Sequence, residues 1–316
     1  SAASDVYKRQ ANDIEAISFI YNIPLWLINL WISEFGRDKT EDLCAWFNEQ
    51  PKLTARINTI LIDIPQCLTM LNEQGWAVTQ DSNYEDIIYI NSHRGSLEKS
   101  EAFIKGYITF MDKASMLVAR LVNPQPGERI LDCCAAPGGK SMYMATLMDN
   151  VGSLMSCDIH EHKIELMNSN ADRLGASIVH TKVQDATKLP DSWNSYFDRV
   201  LVDAPCSGLG ILQKKLDMRW RKQESILREL PPLQLAILER AAMTVKEKGY
   251  LIYSTCTLNY KENEEVVESF LQKHKEFSII PVVEDFPLKS NSGMITTYPP
   301  TDDMDGFFMV KMQRIS

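Results

Sequence analysis

The chain has 316 residues, 45% of them apolar, enough for one large or two modest domains with a real core. A net charge of −9 argues against non-specific coating of nucleic acid, which needs Lys and Arg on phosphates, but leaves room for a local basic surface. No run approaches the ~18 consecutive apolar residues of a membrane helix, and seven cysteines without a C-x-x-C spacing argue against a zinc site or a disulfide framework. The odd cysteine count and a polar start with no apolar signal segment point to a reducing cytoplasm, where each cysteine is either a small buried hydrophobe or a reactive thiol.

Residues 1–10, SAASDVYKRQ, are polar and aperiodic and read as a disordered or extraneous end. Residues 11–114 read as a small α+β domain. A helix follows Ile23-Pro24-Leu25-Trp26, continues through Leu27, Leu30, Trp31 and Phe35, and stops at Gly36; a second runs from Thr40 to Asn48, ahead of Pro51. Short strands lie in LTARINTI, EDIIYINS and KGYITFMD. Residues 115–316 alternate regularly. Strands ERILDCC, SLMSCD, SIVHTKV, DRVLVDAPC and GYLIYSTC are interleaved with helices GGKSMYMATLMDN, EHKIELMNSNADRLG (ending at Gly175), PPLQLAILERAAMTV (prolines in its first turn) and NYKENEEVVESFLQKH (capped by Asn259). GFFMVKMQ is a late strand. This alternation predicts a Rossmann-like, doubly wound α/β domain with a mostly parallel sheet, whose ligands bind beyond the carboxyl ends of its strands.

The strand ends carry the chemistry. After ERILDCC, Pro137-Gly138-Gly139 allows a backbone to approach a ligand closely, and the next helix offers its first amides to an anion. A phosphate loop would need Gly where Cys134 stands, although Gly139-Lys140-Ser141 fits its end, and the G-x-G-x-x-G dinucleotide fingerprint is absent. The methionine carboxylate of S-adenosylmethionine suits the same turn. Asp158, ~20 residues on, suits ribose hydroxyls, though it also reads as a helix cap. Asp185 and Asp203 end the next two strands, a set that fits a nucleoside with a charged tail. Cys206, after Asp203-Ala204-Pro205, and Cys256, after Ser254-Thr255, fall at neighbouring strand ends. Two thiols and a carboxylate suit methylation of cytosine C5. A thiolate adds to C6 and makes an enamine at C5, the carboxylate faces the N3/N4 edge, and a second group aids release. The residues alone leave open which thiol attacks.

Through ILDCCAAPGGK, SCDIHEHK, QDATKLP, FDRVLVDAPCSGLG, YSTCTLNYKENE and DGFFMVKM, the chain resembles the Nol/Nop/Sun family of RNA cytosine-5 methyltransferases over roughly residues 20–316, including an Arg-x-Asn segment in LTARINTI. The resemblance implies a class I S-adenosylmethionine-dependent methyltransferase domain. It implies that Cys134, Ala135, Ala136, Pro137, Gly138, Gly139 and Lys140 hold the methionine part of the cofactor. Asp158 then holds the ribose, Asp185 lies near the adenine, and Lys163 also belongs to the cofactor-binding set. Asp203 faces cofactor and base, with Lys140 also in the catalytic set; Cys256 is the nucleophile and Cys206 promotes release. The implied partner is RNA, foremost 16S ribosomal RNA, met by a cytoplasmic monomer with no membrane and no metal. Transfer RNA is the alternative target, and a non-catalytic RNA-binding assembly factor the alternative of another class. Relatives often carry a NusB-like helical domain that reads here as missing or truncated. Leu216-Asp217-Met218-Arg219-Trp220 replaces a more usual Pro-Asp-x-[KR]-Trp, and Cys133 reads as packing.

KKLDMRWRK (214–222) places Lys214, Lys215, Arg219 and Arg221 around Trp220, so a base can stack while cations track phosphate; the alternative is a solvated loop anchored by Trp220. Arg56 extends this strip from the small domain, with Arg94, Lys99 and Lys105. The acidic surplus is placed on the opposite face, in runs such as KENEEVVE and VVEDF.

Overall fold

The computed structural model describes residues 13–282 and 286–315, so the reading of residues 1–10, and Glu284 and Asp285 of the second acidic run, lie outside it. Three helices come first: α1 (Asp13–Tyr21), α2 (Leu25–Phe35) and α3 (Arg37–Trp46). Gly36, at φ +82°, breaks α2 from α3 in a single residue, so α3 starts three residues earlier than its sequence suggests. Their apolar stripe of Leu27, Ile28, Trp31 and Leu43 does not join the small domain. It packs on Leu209, Leu212, Leu227 and Leu258, behind the turns that follow the two strand-end cysteines.

The small domain runs β1 (Thr54–Ile57), α4 (Ile64–Glu73), β2 (Ala77–Gln80), β3 (Ile87–Ser92), α5 (Glu101–Ile104), β4 (Ile108–Phe110). Its antiparallel order β2-β3-β1-β4 is the ferredoxin-like split βαβ arrangement. β2 sits at the edge and is almost wholly exposed, so it carries no alternating apolar signal to read.

The second domain opens with α6 (Lys113–Val122), capped by Asp112, whose carboxylate accepts from the Ala114 amide at 2.8 Å. Then follow β5 (Arg129–Asp132), α7 (Gly139–Leu147), β6 (Ser153–Asp158), α8 (Glu161–Leu174), β7 (Val179–Val183), β8 (Phe197–Asp203), α9 (Met218–Arg221), α10 (Ile226–Ala242), β9 (Val245–Thr255), α11 (Glu264–Lys273), β10 (Phe277–Ile279), β11 (Met294–Thr296), α12 (Pro299–Asp302) and β12 (Phe308–Arg314). The sheet order is β10-β12-β9-β8-β5-β6-β7, parallel from β7 to β9, with β10, β11 and β12 antiparallel. The chain leaves β5 toward β6 and returns to β8, so the crevice between β5 and β8 is the switch point where ligands bind. Pro231 and Pro232 sit inside α10, not in its first turn: residues 226–228 donate to carbonyls three residues back, adding a tight turn before the prolines. Asn259 caps a short 3-10 turn at Tyr260–Glu262, and α11 starts only after it.

Arg56 and Asn58 join the domains. Arg56 is fully buried; its guanidinium donates to Thr146 Oγ1 (3.1 Å) and stacks on the Tyr143 ring, both on α7. It therefore forms no part of an RNA-facing strip. Asn58 donates to Gly106 O and to Leu174 O, each at 2.9 Å. Among the described residues no single helix is long and apolar enough to cross a membrane.

Asn58→Ala strands two buried carbonyls and is expected to cost about 2–4 kcal/mol in urea unfolding. Arg56→Ala is expected to destabilise as well while leaving the salt dependence of RNA binding unchanged, because the side chain does not reach solvent.

Candidate active site

β5 delivers Asp132 and then the turn 133–138. Gly138 takes φ +99°, and a Cβ there would come within 3.1 Å of Met167 Cγ, so only glycine turns the chain into α7 at this point. Ala135 is held from below, its amide donating to Cys157 O at 2.8 Å. β6 ends on Asp158, whose Oδ1 accepts from the His160 amide (2.9 Å) while Oδ2 lies 3.6 Å from Lys163 Nζ. Asp185 accepts from the Thr187 hydroxyl and amide, which hold its carboxyl below the usual range. Asp158, Lys163 and Asp185, with Cys134, Ala136, Ile159, Pro205, Leu233, Ile237, Cys206 and Cys256, line one cavity of about 440 Å³ at the carboxyl edge of the sheet.

At its inner wall, Asp203 receives Lys140 Nζ on one oxygen (2.7 Å) and the Ser254 hydroxyl on the other (2.8 Å). Burial opposes the Lys140 charge, but Asp203 outweighs it and holds the ammonium pKa above its ordinary value. Beside this pair, Cys206 Sγ lies 3.3 Å from Cys256 Sγ and accepts from the Cys256 amide at 3.3 Å. The contact with Cys256, then burial, push the Cys206 thiol well up. Cys134 and Cys133 are pushed up by burial, which suits packing.

Of the expected residues, Cys134, Ala136, Asp158, Lys163, Asp185, Asp203, Cys206 and Cys256 line this cavity and Lys140 bonds to Asp203, whereas Ala135, Pro137, Gly138 and Gly139 are not in its lining; the expected basic surface converges only in part. Trp220 (59% exposed), Lys215 and Arg221 are on the surface, with Arg221 paired to Asp217 at 3.2 Å. Lys214 is tied to Asp112 and, at 2.9 Å, to Asp305. Arg219 is a correction: it is 3% exposed and donates to Phe47 O and Asn48 Oδ1, anchoring the loop to α3.

Two carboxylates escaped the sequence reading. Asp132, 1% exposed, accepts from Ser141 Oγ (2.7 Å), which in turn receives Ser156 Oγ (2.8 Å); its other oxygen has no partner among the described residues, and burial pushes its pKa up to about 7. Glu262, placed by its KENEEVVE run on an acidic surface, is fully buried behind the two thiols. Neither had a signal in spacing; only the fold brings their partners together. Close packing fixes the same region: Gly306 N donates to Gly210 O (2.8 Å), Gly210 N to Cys256 O (3.0 Å), and a Cβ at Gly210 would lie 1.8 Å from Gly306 O.

The signature of the family described as 16S rRNA methyltransferase RsmB/F matches residues 119–313, and that of the RsmF/B-like ferredoxin-like domain matches residues 23–95. The chain is similar to the probable ribosomal RNA small subunit methyltransferase B of Bacillus subtilis (37% identity, 92% of this chain, 66% of the relative). It is similar to the protein of the same description from Synechocystis (36%, 93% of this chain, 67% of the relative). It also matches the crystal structure of PH0851, with TM-score 0.90, 32% identity, 96% of this chain and 68% of that one. The chain thus spans about two thirds of the length of these relatives.

The raised Asp132 pKa means that its contribution to stability is complete below pH ~4 and is lost as pH rises through about 7. Asp132→Asn is expected to be more stable, relative to the parent, at pH 8 than at pH 5, as read from urea unfolding at the two pH values.

Proposed function

Because the chain belongs to the RsmB/F family of 16S rRNA methyltransferases, we propose that it methylates C5 of a cytosine in small-subunit ribosomal RNA, using S-adenosylmethionine. The observation that carries this reading is the 3.3 Å approach of Cys206 and Cys256 beside the Lys140–Asp203 pair, in the lining of the 440 Å³ cavity. The cavity suits the cofactor: Asp158 and Asp185 offer carboxylates to hydroxyl and amino donors, and Ile159, Pro205, Leu233 and Ile237 offer apolar walls. When bound, S-adenosylmethionine supplies a methyl group on a cationic sulfur.

The chain's own residues supply the rest. The Cys256 thiolate adds to C6 of the base, and the electron pair of the C5=C6 bond moves to C5, which becomes nucleophilic. Asp203, held by Lys140 and Ser254, faces the base. Once C5 carries the methyl group, its proton passes to a water acting as base, the C–H pair restores C5=C6, and Cys256 departs as thiolate; Cys206 assists this release. The RNA approaches over Lys215, Trp220 and Arg221, the exposed part of the basic loop. A non-catalytic RNA-binding factor would have no use for this thiol–carboxylate arrangement.

Cys256→Ala is expected to bind S-adenosylmethionine and lose transfer, whereas Cys206→Ala accumulates a protein–RNA adduct that survives denaturant on a gel. Methylation by Cys256→Ala would overturn the assignment. Bisulfite mapping of ribosomal and transfer RNA after gene deletion names the nucleotide, and a changed cytosine only in transfer RNA would redirect the proposal. Trp220→Ala is expected to cost about 1–3 kcal/mol of RNA affinity, and Arg221→Ala to reduce the salt slope by about 1.

A further inference from the structure

Two thiols 3.3 Å apart at equivalent strand ends differ little as chemistry. What surrounds them differs. Glu262 is 0% exposed, and both its oxygens are filled by donors from three separate segments. Oε1 accepts from Ser207 Oγ and from Asn259 Nδ2 (3.0 Å); Oε2 accepts from the Ser207 amide (2.8 Å) and Gln234 Nε2 (2.9 Å). Ser207 follows Cys206, and its hydroxyl also pairs with that of Thr257, which follows Cys256, at 2.8 Å. Gln234, on α10, donates as well to Pro205 O (3.0 Å), so the Pro-Cys turn is held from both sides. The Glu262 carbonyl in turn receives Tyr253 OH at 2.6 Å.

Resting on the methyltransferase reading above, we propose that Glu262 is a positioning residue that assigns the roles of the two cysteines: its buried carboxylate clamps the turn after Cys206 and disfavours a thiolate there, leaving Cys256 to attack. The groups that face this pair are consistent in sense. On the Cys206 side the Glu262 carboxylate takes the amide and hydroxyl of Ser207, and the Glu262 carbonyl takes the Tyr253 hydroxyl; Lys140, across the pair, is held by Asp203 at 2.7 Å. Nearby negative charge raises a thiol's pKa.

The network also makes the carboxylate specific. All four neighbours donate, so an amide at 262 must turn its NH₂ toward either Asn259 Nδ2 or the pair Ser207 N and Gln234 Nε2, donor against donor. Glu262→Gln therefore breaks the hub, and adding Asn259→Asp restores it with the polarity of one bond reversed and the charge moved by one side chain.

The test is the ratio of Cys206 to Cys256 alkylation by iodoacetamide in the free protein, read by peptide mass spectrometry from pH 6.5 to 9. Glu262→Gln is expected to raise that ratio about tenfold, equivalent to one pKa unit on Cys206, and to shift its pH profile downward. The Glu262→Gln, Asn259→Asp double variant is expected to bring both back toward the parent. In methyl-transfer assays Glu262→Gln is expected to lose at least about tenfold in kcat with KM for S-adenosylmethionine within about twofold. An unchanged ratio in folded Glu262→Gln overturns the proposal, as does a double variant that folds and keeps the single variant's ratio. The alkylation ratio needs no RNA, so a parent protein that methylates no RNA would count against the proposed function and leave this test standing.

Discussion

The parallel pairing of β8 with β9, in the register that sets Asp203 beside Ser254, governs the whole site. Each strand carries its cysteine just past its last paired residues, so the register brings Cys206 and Cys256 level at one rim. The same pairing lets Ser254 donate to Asp203. A slip by one residue would turn every side chain of the strand to the other face. The two apolar layers that sandwich the sheet prevent that slip, because Val200, Val202, Leu251 and Tyr253 fill one layer while Leu201 and Ile252 fill the other. Packing thus sets the chemistry at a distance: the core chooses a register, and the register chooses which groups meet.

A second layer of support comes from outside the sheet. Leu209, Leu212 and Leu258, in the turns after the cysteines, are buried by α2 and α3, and Arg219 ties the following loop to the end of α3. The N-terminal helices are therefore part of the catalytic body, although they precede the small domain in sequence. The small domain is fastened through Arg56 and Asn58 to α7 and to the end of α8, so the helix that opens after the turn at 133–138 is also the one against which the small domain rests.

Much of this was legible in the residues. The βα alternation announced the parallel sheet, Gly36 and Gly175 stopped their helices, and the strand-end acids and thiols gathered at one cavity because their strands end at one edge. What escaped was decided by tertiary contact. Arg56 and Arg219 look like surface cations until helices cover them. Glu262 sits in an acidic run whose other members face solvent or half-face it, and only the fold supplies its four donors. Pro231 and Pro232 look like a helix start because a proline gives no sign of the tight turn placed before it.

The crossing of Gly210 and Gly306 has a meaning for how such a site can be altered. Two backbones touch there without side chains between them: Gly306 N donates to Gly210 O, and Gly210 N to the carbonyl of Cys256, just past β9. The exposed positions Lys215, Leu216, Trp220 and Arg221 on one side and Lys289, Ser290, Asn291 and Ser292 on the other lie outside the crossing, whereas Arg219 and β11 are fixed by contacts of their own. A breeder of new target preferences would therefore find the tolerant ground on both flanks and a fixed pivot between them, where even one added methyl group would push the catalytic turn off its seat.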